Sequence, residues 1–326
     1  MQISLLATSS EIIERYNGLS QPISETTKEY LKHAKAENTI KSYRTDWKHF
    51  KDWCIDNDRT FLPATPETVS DYLSSMAAAN YKPSTIQRRI SAISQAHQAA
   101  NYESPTHSPL VRTLWASILR VHGTQQQGKA PATIDDIRLM IEVLPSNNIG
   151  IRDRAILLIG FAGGFRRSEI VALNKEDIEF TREGLVIHQR KSKVDQEGEG
   201  RKVGIPYGGN LDTCPVRSLQ DWLEAGNIGM GPIFRPINRH LQVRDRRLSD
   251  QSVALIIKRY AELAGLDVRK YSGHSLRAGL VTSAHLAGKS ERAIMKQTGH
   301  RSVTTVRKYI REASVFQDNA ATGIGL

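Results

Sequence analysis

The second half of the sequence carries arginines, histidines and a tyrosine at spacings that suit chemistry on a phosphate group. Arg166 and Glu169 lie three residues apart, so on a helix they share a face, where the carboxylate can orient the guanidinium or simply pair with it. His274 and Arg277 have the same spacing. A guanidinium offers forked donors that match two phosphate oxygens, so two such arginines predict an anion site.

Tyr309 lies among the cations of the segment RKYIR at 307–311. A phenol beside positive charges can attack phosphorus if its proton is removed as the new bond forms. His300 precedes it by nine residues, which is about 13 Å along a continuous helix. Both side chains can reach one phosphate only if the chain breaks between Gly299 and Ser302 and then starts a new helix.

Each of these features alone is typical of an ordinary structural role. A Glu/Arg pair at this spacing is usually a surface ion pair. A tyrosine beside an apolar stripe such as Val303, Val306 and Ile310 is usually part of a core, and a Gly-His pair usually ends a helix. Only the combination of all of them in one chain favours a reactive site.

The composition limits the kind of protein that can carry this site. The chain has 326 residues, a formal charge of +11 and 39% hydrophobic residues, which predicts a folded chain of two domains that meets a polyanion. It has two distant cysteines, Cys54 and Cys214, which excludes a disulfide scaffold and fits a reducing compartment. Motifs of ATPases, dinucleotide enzymes and zinc proteases are absent. The apolar stretch Ala155–Phe165 is too short for a membrane span and predicts a buried helix.

The first half reads as a small helical domain. Apolar residues recur over Thr39–Cys54 with the period of a helix, and a basic stripe follows one residue later, about 100° around the helix. Further helices are predicted after Pro83 and over Pro109–Val121. The basic residues that we expect to contact DNA are Lys41, Arg44, Lys48, Lys51, Arg88 and Arg89. Solvated lysine stripes are common, so exposure to water is the alternative explanation.

The domain order follows from breaks in these patterns. We expect a loose arm over 1–27, a helical domain over 28–122, a Gly- and Gln-rich linker over 123–132, a second domain over 133–313 and a tail over 314–326. A capping box at Thr133 and Asp136 starts the second domain. Two β-prone runs, Leu185–Gln189 and Arg201–Ile205, predict a hairpin with a long loop. Further helices are expected at about 151–163, 166–172, 215–225, 249–264, 274–286, 290–298 and 302–313.

The sequence motifs that contain these residues resemble those of the active site of the tyrosine site-specific recombinases, also called the phage integrase family. The resemblance is to the simple two-domain Cre/Xer-like type. The motifs are, in order, GFRRSEIVAL, RKSKVDQEGEGR, YSGHSLRAG, QTGH and TVRKYIR. The resemblance is strong over 151–313. NTIKSYRTDWKHFKDWC and PSTIQRRISAISQAH extend it weakly, to about residue 28. It implies a mainly α fold, with an N-terminal SAM-like core-binding domain and an α+β catalytic domain that holds a small β-hairpin sheet.

The resemblance assigns a role to each matching residue. Arg166 and Arg277 would clamp the phosphate, Glu169 would accompany Arg166, and Tyr309 would be the nucleophile. Lys193 matches the hairpin lysine that protonates the leaving group, although Lys191 shares its strand face and remains an alternative. His274 and His300 match the two histidines. The implied reaction passes through a 3′-phosphotyrosyl bond and a Holliday junction, without ATP, metal or other cofactor.

The partners also follow from the resemblance. The substrate would be double-stranded DNA with paired recombination sites. The protein would be a monomer in solution, a dimer on each site and a homotetramer on paired sites, with the tail over 314–326 docking on a neighbouring protomer and accessory proteins as an optional addition. The location would be the cytoplasm, on the nucleoid in a prokaryote, with no membrane contact. Three alternatives remain: a non-catalytic DNA-binding relative, a type IB topoisomerase, and a basic helical protein whose partner is not DNA.

Overall fold

The computed structural model describes residues 24–32, 37–123, 128–189 and 200–313. The chain divides between Gln127 and Gly128 into two compact units, each described here by itself. Residues 1–23 of the arm expected over 1–27, the tail expected over 314–326 and part of the expected linker lie outside the described residues. The last linker residues belong to the second unit, because the backbone N–H groups of Ala130 and Ala132 donate to carbonyls of that unit at 2.8 and 2.9 Å.

The described part of the first unit is helical. Its helices are α1 (Glu25–Lys32), α2 (Glu37–Asp56), α3 (Pro66–Ala78), α4 (Pro83–Ala99) and α5 (Pro109–His122), with a short 3-10 turn at Pro105–His107. Proline at the first position of α3, α4 and α5 fits the start of a helix, where an N–H has no partner in the helix. The sequence predicted α2, α4 and α5, while α3 was missed and α1 begins inside the expected arm.

The apolar stripe predicted for α2 forms one wall of the first core. Phe50 and Cys54 are fully buried, and they pack with residues such as Tyr72 and Ile93 of the next helices. The core also holds His97, whose Nδ1 donates to the Ile93 carbonyl at 2.9 Å and whose Nε2 accepts from the Ala64 N–H at 2.8 Å. Burial lowers the pKa of His97, so this imidazole stays neutral.

The second unit is mainly helical with one small sheet. Its helices are α6 (Ile134–Glu142), α7 (Asn148–Ala162), α8 (Arg167–Ala172), α9 (Pro215–Ala225), α10 (Asp250–Leu263), α11 (Ser275–Leu286), α12 (Glu291–Thr298) and α13 (Val303–Ala313). These bounds lie within a few residues of those expected from the sequence. The capping box predicted at Thr133 and Asp136 is present, with both of its hydrogen bonds.

Three antiparallel strands form the sheet, in the order β1 (Ile178–Phe180), β2 (Gly184–Gln189) and β3 (Arg201–Pro206). The predicted hairpin is β2 and β3, in which Gln189 pairs with Arg201 at the end next to the connecting loop. Strand β1 was not predicted, because three residues are too short for a clear alternation. The loop over 190–199 lies outside the described residues.

The core of the second unit surrounds α7, which buries nearly all of its sides, as predicted for the apolar stretch Ala155–Phe165. Asn147 caps this helix by accepting from the N–H groups of Ile149 and Gly150. Within the described parts of the chain, no helix is long and apolar enough to cross a membrane. The consequence for the site is that α8, α11 and the turn after α12 are anchored on a rigid interior.

Candidate active site

Arg166 and Glu169 form a pair at the start of α8. Arg166 lies at the N-cap with extended backbone angles, so the two residues meet by capping and not across one face of a helix, as the sequence had suggested. One oxygen of Glu169 accepts from the backbone N–H of Arg166 at 2.8 Å and the other from its Nη1 at 2.5 Å. The carboxylate is 4% exposed and the guanidinium 16%, so the pair fixes the direction of the guanidinium.

Arg277 brings a second guanidinium to the same place. Its Nη1 donates to the carbonyls of Gly164 and Thr298 at 2.6 and 2.5 Å. Its Nη2 is buried and has no hydrogen-bond partner among the residues that the structure describes. Gly164 lies two residues before Arg166, so this contact brings Arg277 to the segment that carries Arg166. Burial, followed by the positive charge of Arg166, lowers the pKa of Arg277 to about 10. Two clustered cations with a spare donor can hold an anion.

The break that the sequence required between His300 and Tyr309 is present. Helix α12 ends at Thr298, Gly299 takes the left-handed conformation with φ of 69°, and α13 starts at Val303. The chain therefore turns back, and the rings of His300 and Tyr309 lie 6.3 Å apart between centroids. Tyr309 is half-buried.

The hydrogen bonds around His300 define its protonation. The hydroxyl of Thr298 donates to the Ile294 carbonyl at 2.7 Å, so its oxygen accepts from Nδ1–H of His300, also at 2.7 Å. Nε2 of His300 then accepts from Nε of Arg277 at 3.3 Å. Burial, followed by the charges of the nearby arginines, lowers the pKa of His300 to about 3. The imidazole is thus neutral, with its proton on Nδ1.

Helix α13 is attached to the second unit by a small apolar cluster. Val306 and Ile310 pack on Val281 of α11 and Ile294 of α12, and Tyr309 lies at the edge of this cluster. Arg307 on α13 also forms a two-pronged ion pair with Glu291, at 3.0 and 3.2 Å. These contacts hold the ring of Tyr309 beside His300, whose Nε2 is bonded to Arg277.

His274 is exposed at the start of α11, one turn before Arg277. Its backbone N–H donates to the hydroxyl of Ser272 at 3.3 Å. The preceding Gly273 packs against Arg167, where a Cβ would lie 2.8 Å from Cδ of that side chain. Arg167 itself forms an ion pair with Asp250 at 3.0 Å.

The structure adds Arg201, to which the sequence assigned no role. It is the last residue of the word RKSKVDQEGEGR, and it is the first residue of β3. Its charge lowers the pKa of both Arg277 and His300, so it belongs to the same cluster. Arg201 could have been noticed in the sequence, because it ends a motif that resembles the family's and begins a predicted strand. Lys193 and its alternative Lys191 lie outside the described residues.

The candidate DNA-contacting residues of the first unit fall into two groups. Lys41, Arg44, Lys48 and Lys51 are all exposed on α2. On α4, by contrast, Arg89 is buried, with its Nε 3.7 Å from Asp46 and its guanidinium over the ring of Tyr81. Arg88 is half-exposed and bonded to the same carboxylate at 2.6 and 3.0 Å. The burial of Arg89 beside Asp46 disfavours the expected DNA contact by this residue, because its guanidinium neutralises a carboxylate inside the unit.

Two family models match the chain. The model of the phage integrase family matches residues 132–314, and the model of the N-terminal SAM-like domain of phage integrases matches residues 28–104. An integrase/recombinase XerD homolog of Selenomonas ruminantium is 42% identical over 305 residues, which cover 92% of this chain and 89% of the relative. The tyrosine recombinase XerD of Vibrio cholerae serotype O1 is 27% identical, with 94% and 95% coverage.

Solved structures share the fold. The XerH site-specific recombinase bound to a palindromic difH substrate, in a post-cleavage complex, gives a TM-score of 0.63 at 16% identity and covers 97% of this chain and 91% of its own. A lambda integrase dimer bound to a COC′ core site gives 0.58 at 16% identity, with 87% and 75% coverage. These comparisons confirm the fold that the resemblance implied. The chain belongs to the phage integrase family and is an Xer-like tyrosine recombinase.

Proposed function

We propose that this site-specific recombinase cuts and rejoins double-stranded DNA through a phosphotyrosyl bond to Tyr309. The observation that carries the proposal is the convergence of Arg166, Arg277 and His300 beside the phenol of Tyr309. The site binds an anion on one side and presents a nucleophile on the other. A backbone phosphate of DNA between them would meet both.

In the first step, the phenol oxygen attacks phosphorus and the bond to the 5′ oxygen breaks, which leaves a 3′-phosphotyrosyl bond and a 5′-hydroxyl. Five oxygens surround the phosphorus in the transition state, and the non-bridging oxygens gain negative charge. Donors that are fixed in advance stabilise this charge most effectively. Arg166, which Glu169 holds, is such a donor, and so is Arg277, whose buried Nη2 has no partner among the described residues.

The two histidines differ in their environment and therefore in their proposed roles. His274 is exposed at the start of α11, where it can accept the proton of the phenol or bond a phosphate oxygen. His300 is neutral and holds its Nε2 against Arg277. A bound phosphate adds negative charge next to this ring, which favours its protonated form and a hydrogen bond from Nε2 to a phosphate oxygen.

The leaving alkoxide needs a proton, and we assign this acid role to Lys193, with Lys191 as the alternative. The phosphotyrosyl bond conserves the energy of the broken bond, so a 5′-hydroxyl of a partner duplex can attack it without ATP or metal. Exchange of both strand pairs would pass through a Holliday junction. Four protomers on paired sites would supply the four nucleophiles.

The first unit would add DNA affinity. Lys41, Arg44, Lys48 and Lys51 lie exposed along one helix, and cations on a helix face suit the phosphates that border a groove. Residues 28–122 would act as a core DNA-binding domain and residues 133–313 as the catalytic domain. Affinity that rests on phosphate contacts falls steeply with salt concentration.

The test is a suicide substrate, a nicked site from which the cleaved end diffuses away. Wild-type protein should form a covalent adduct that survives a denaturing gel. Tyr309→Phe should bind the same DNA with unchanged affinity and form no adduct, because it lacks only the phenol oxygen. An adduct that persists in this variant would refute the assignment of the nucleophile, and binding without cleavage by the wild type would favour a non-catalytic DNA-binding protein.

A further inference from the structure

Arg201 links two parts of the candidate active site. Its Nε donates to the side-chain oxygen of Gln189 at 2.7 Å, across the last pair of the hairpin. Its Nη1 donates to the carbonyl of Gln297 at 2.8 Å and lies 3.5 Å from that of Lys296, both in the last turn of α12. One guanidinium thus joins the end of the hairpin to the helix end that precedes His300.

The guanidinium also packs against the turn itself. A Cβ added to Gly299 would lie 2.9 Å from Cζ of Arg201 and 3.0 Å from its Nε and Nη1. The glycine therefore serves two purposes, because its φ of 69° already disfavours a side chain. On the other side, Cζ lies 5.9 Å from the ring centre of Phe165, the residue before Arg166. Arg201 sits among the segments that carry Arg166 and His300.

The burial of this charge is costly and needs an explanation. Burial lowers the pKa of Arg201. Its Nη2 is buried and has no partner in the part of the chain that the structure describes. The negative charge of Glu169 stabilises the charged form of Arg201, while the positive charge of Arg166 destabilises it. The C-terminal end of a helix attracts a cation, but an exposed lysine would provide this charge without the free-energy cost of burying it. The observed geometry instead suits a side chain that must hold two segments at a fixed distance.

We infer that Arg201 is a positioning residue, which holds the turn of Gly299 and His300 against the hairpin so that the imidazole stays aligned with Arg277. The inference rests on the proposed function, because it concerns the same reaction. Arg201 acts through His300 and not by its own contact with the phosphate. Loss of Arg201 should therefore slow cleavage while the affinity for DNA stays the same.

The experiment measures single-turnover cleavage of the suicide substrate at saturating protein. Arg201→Gln should cleave about 10- to 100-fold more slowly than wild type, the scale of a catalytic group displaced by about 1 Å. Arg201→Lys should fall between the two, because it keeps the charge but cannot bridge Gln189 and Gln297. The matched control is Arg235→Gln, which also removes donors to two carbonyls, at 2.9 and 2.6 Å, together with an ion pair to Asp245; none of these partners belongs to a segment of the candidate site. It should cleave at the wild-type rate.

A double-mutant cycle separates positioning from other roles. In a His300→Ala background, Arg201→Gln should slow cleavage by less than about threefold, because residues that act as a unit are not additive. Equal slowing in both backgrounds would overturn the inference, as would slowing by Arg235→Gln to the same extent, or a wild-type rate in Arg201→Gln. If the glutamine variant does not fold, the same cycle with Arg201→Lys decides. A wild-type protein that forms no adduct would instead refute the proposed function.

Discussion

The ion pair of Arg166 and Glu169 allows a quantitative test of the site as an anion pocket. Glu169→Gln keeps the size of the side chain but removes its charge. The glutamine has one acceptor oxygen, while the native carboxylate accepts from two donors of Arg166. The amide group must then face one donor of Arg166, and the nearby guanidiniums of Arg201 and Arg277 lose a favourable negative charge.

The size of the effect follows from burial. Loss of one partner of a buried ion pair costs about 3–5 kcal/mol, and loss of a hydrogen bond to a charged group about 1.5–3 kcal/mol. Because the Arg166 side chain keeps 16% exposure, we expect a loss of about 2–3 kcal/mol in the free energy of unfolding. A domain of this size loses about 2–4 °C in Tm per kcal/mol, so Tm should fall by about 4–12 °C.

The assay is thermal melting in sodium chloride and in sodium sulfate at equal ionic strength. An anion pocket exists only in the folded state, so sulfate bound there should raise Tm, and it should do so more in Glu169→Gln than in wild type because the variant has lost its own counter-charge. The control is Glu291→Gln, which breaks a similar pair with Arg307 whose partners are 38% and 59% exposed, and which should melt close to wild type. The reasoning fails if Glu169→Gln melts like wild type, or if sulfate stabilises both proteins equally.

Two further predictions concern other charged groups. Arg89→Ala should lower Tm, because it removes a buried cation from beside Asp46. Lys41→Ala should leave Tm unchanged and reduce the salt dependence of DNA binding by about one phosphate contact. Equal Tm values for the two variants would contradict the burial of Arg89. The pKa of His300 is about 3 when folded and 6.5 ordinarily, so between these values the unfolded state binds a proton that the folded state does not. The free energy of unfolding should therefore fall as the pH drops from 6.5 towards 3. Urea unfolding at pH 7.5 and 5.0 should show a smaller fall of this free energy in His300→Gln than in wild type. An equal fall in the two proteins would mean that this imidazole is not held neutral.

Much of the site could be read from the sequence because it depends on local rules. Apolar periodicity and capping residues gave the helices of the second unit to within a few residues, as at Thr133 and Asp136. The need to bring His300 and Tyr309 together predicted the break that Gly299 supplies. Such signals depend on residues close together in the chain, where geometry follows from residue type.

The features that the sequence did not reveal depend on contacts between distant residues. Arg89 was assigned to DNA because it lies beside an apolar stripe, but its partner Asp46 belongs to another helix. Arg201 reaches the site only because the hairpin folds against the end of α12, which no periodicity encodes. Whether an arginine faces solvent, a carboxylate or a substrate is decided by packing, and composition alone cannot tell these cases apart.

The pocket joins pieces that are far apart along the chain, from Gly164, whose carbonyl holds Arg277, to the turn at Gly299 and the phenol beyond it. During synthesis the nucleophile is therefore made after every cation that would direct it. A polypeptide that ends before residue 309 therefore carries both guanidiniums but lacks the phenol that we propose as the nucleophile. The order of the segments thus makes completion of this part of the chain a condition for the proposed cleavage.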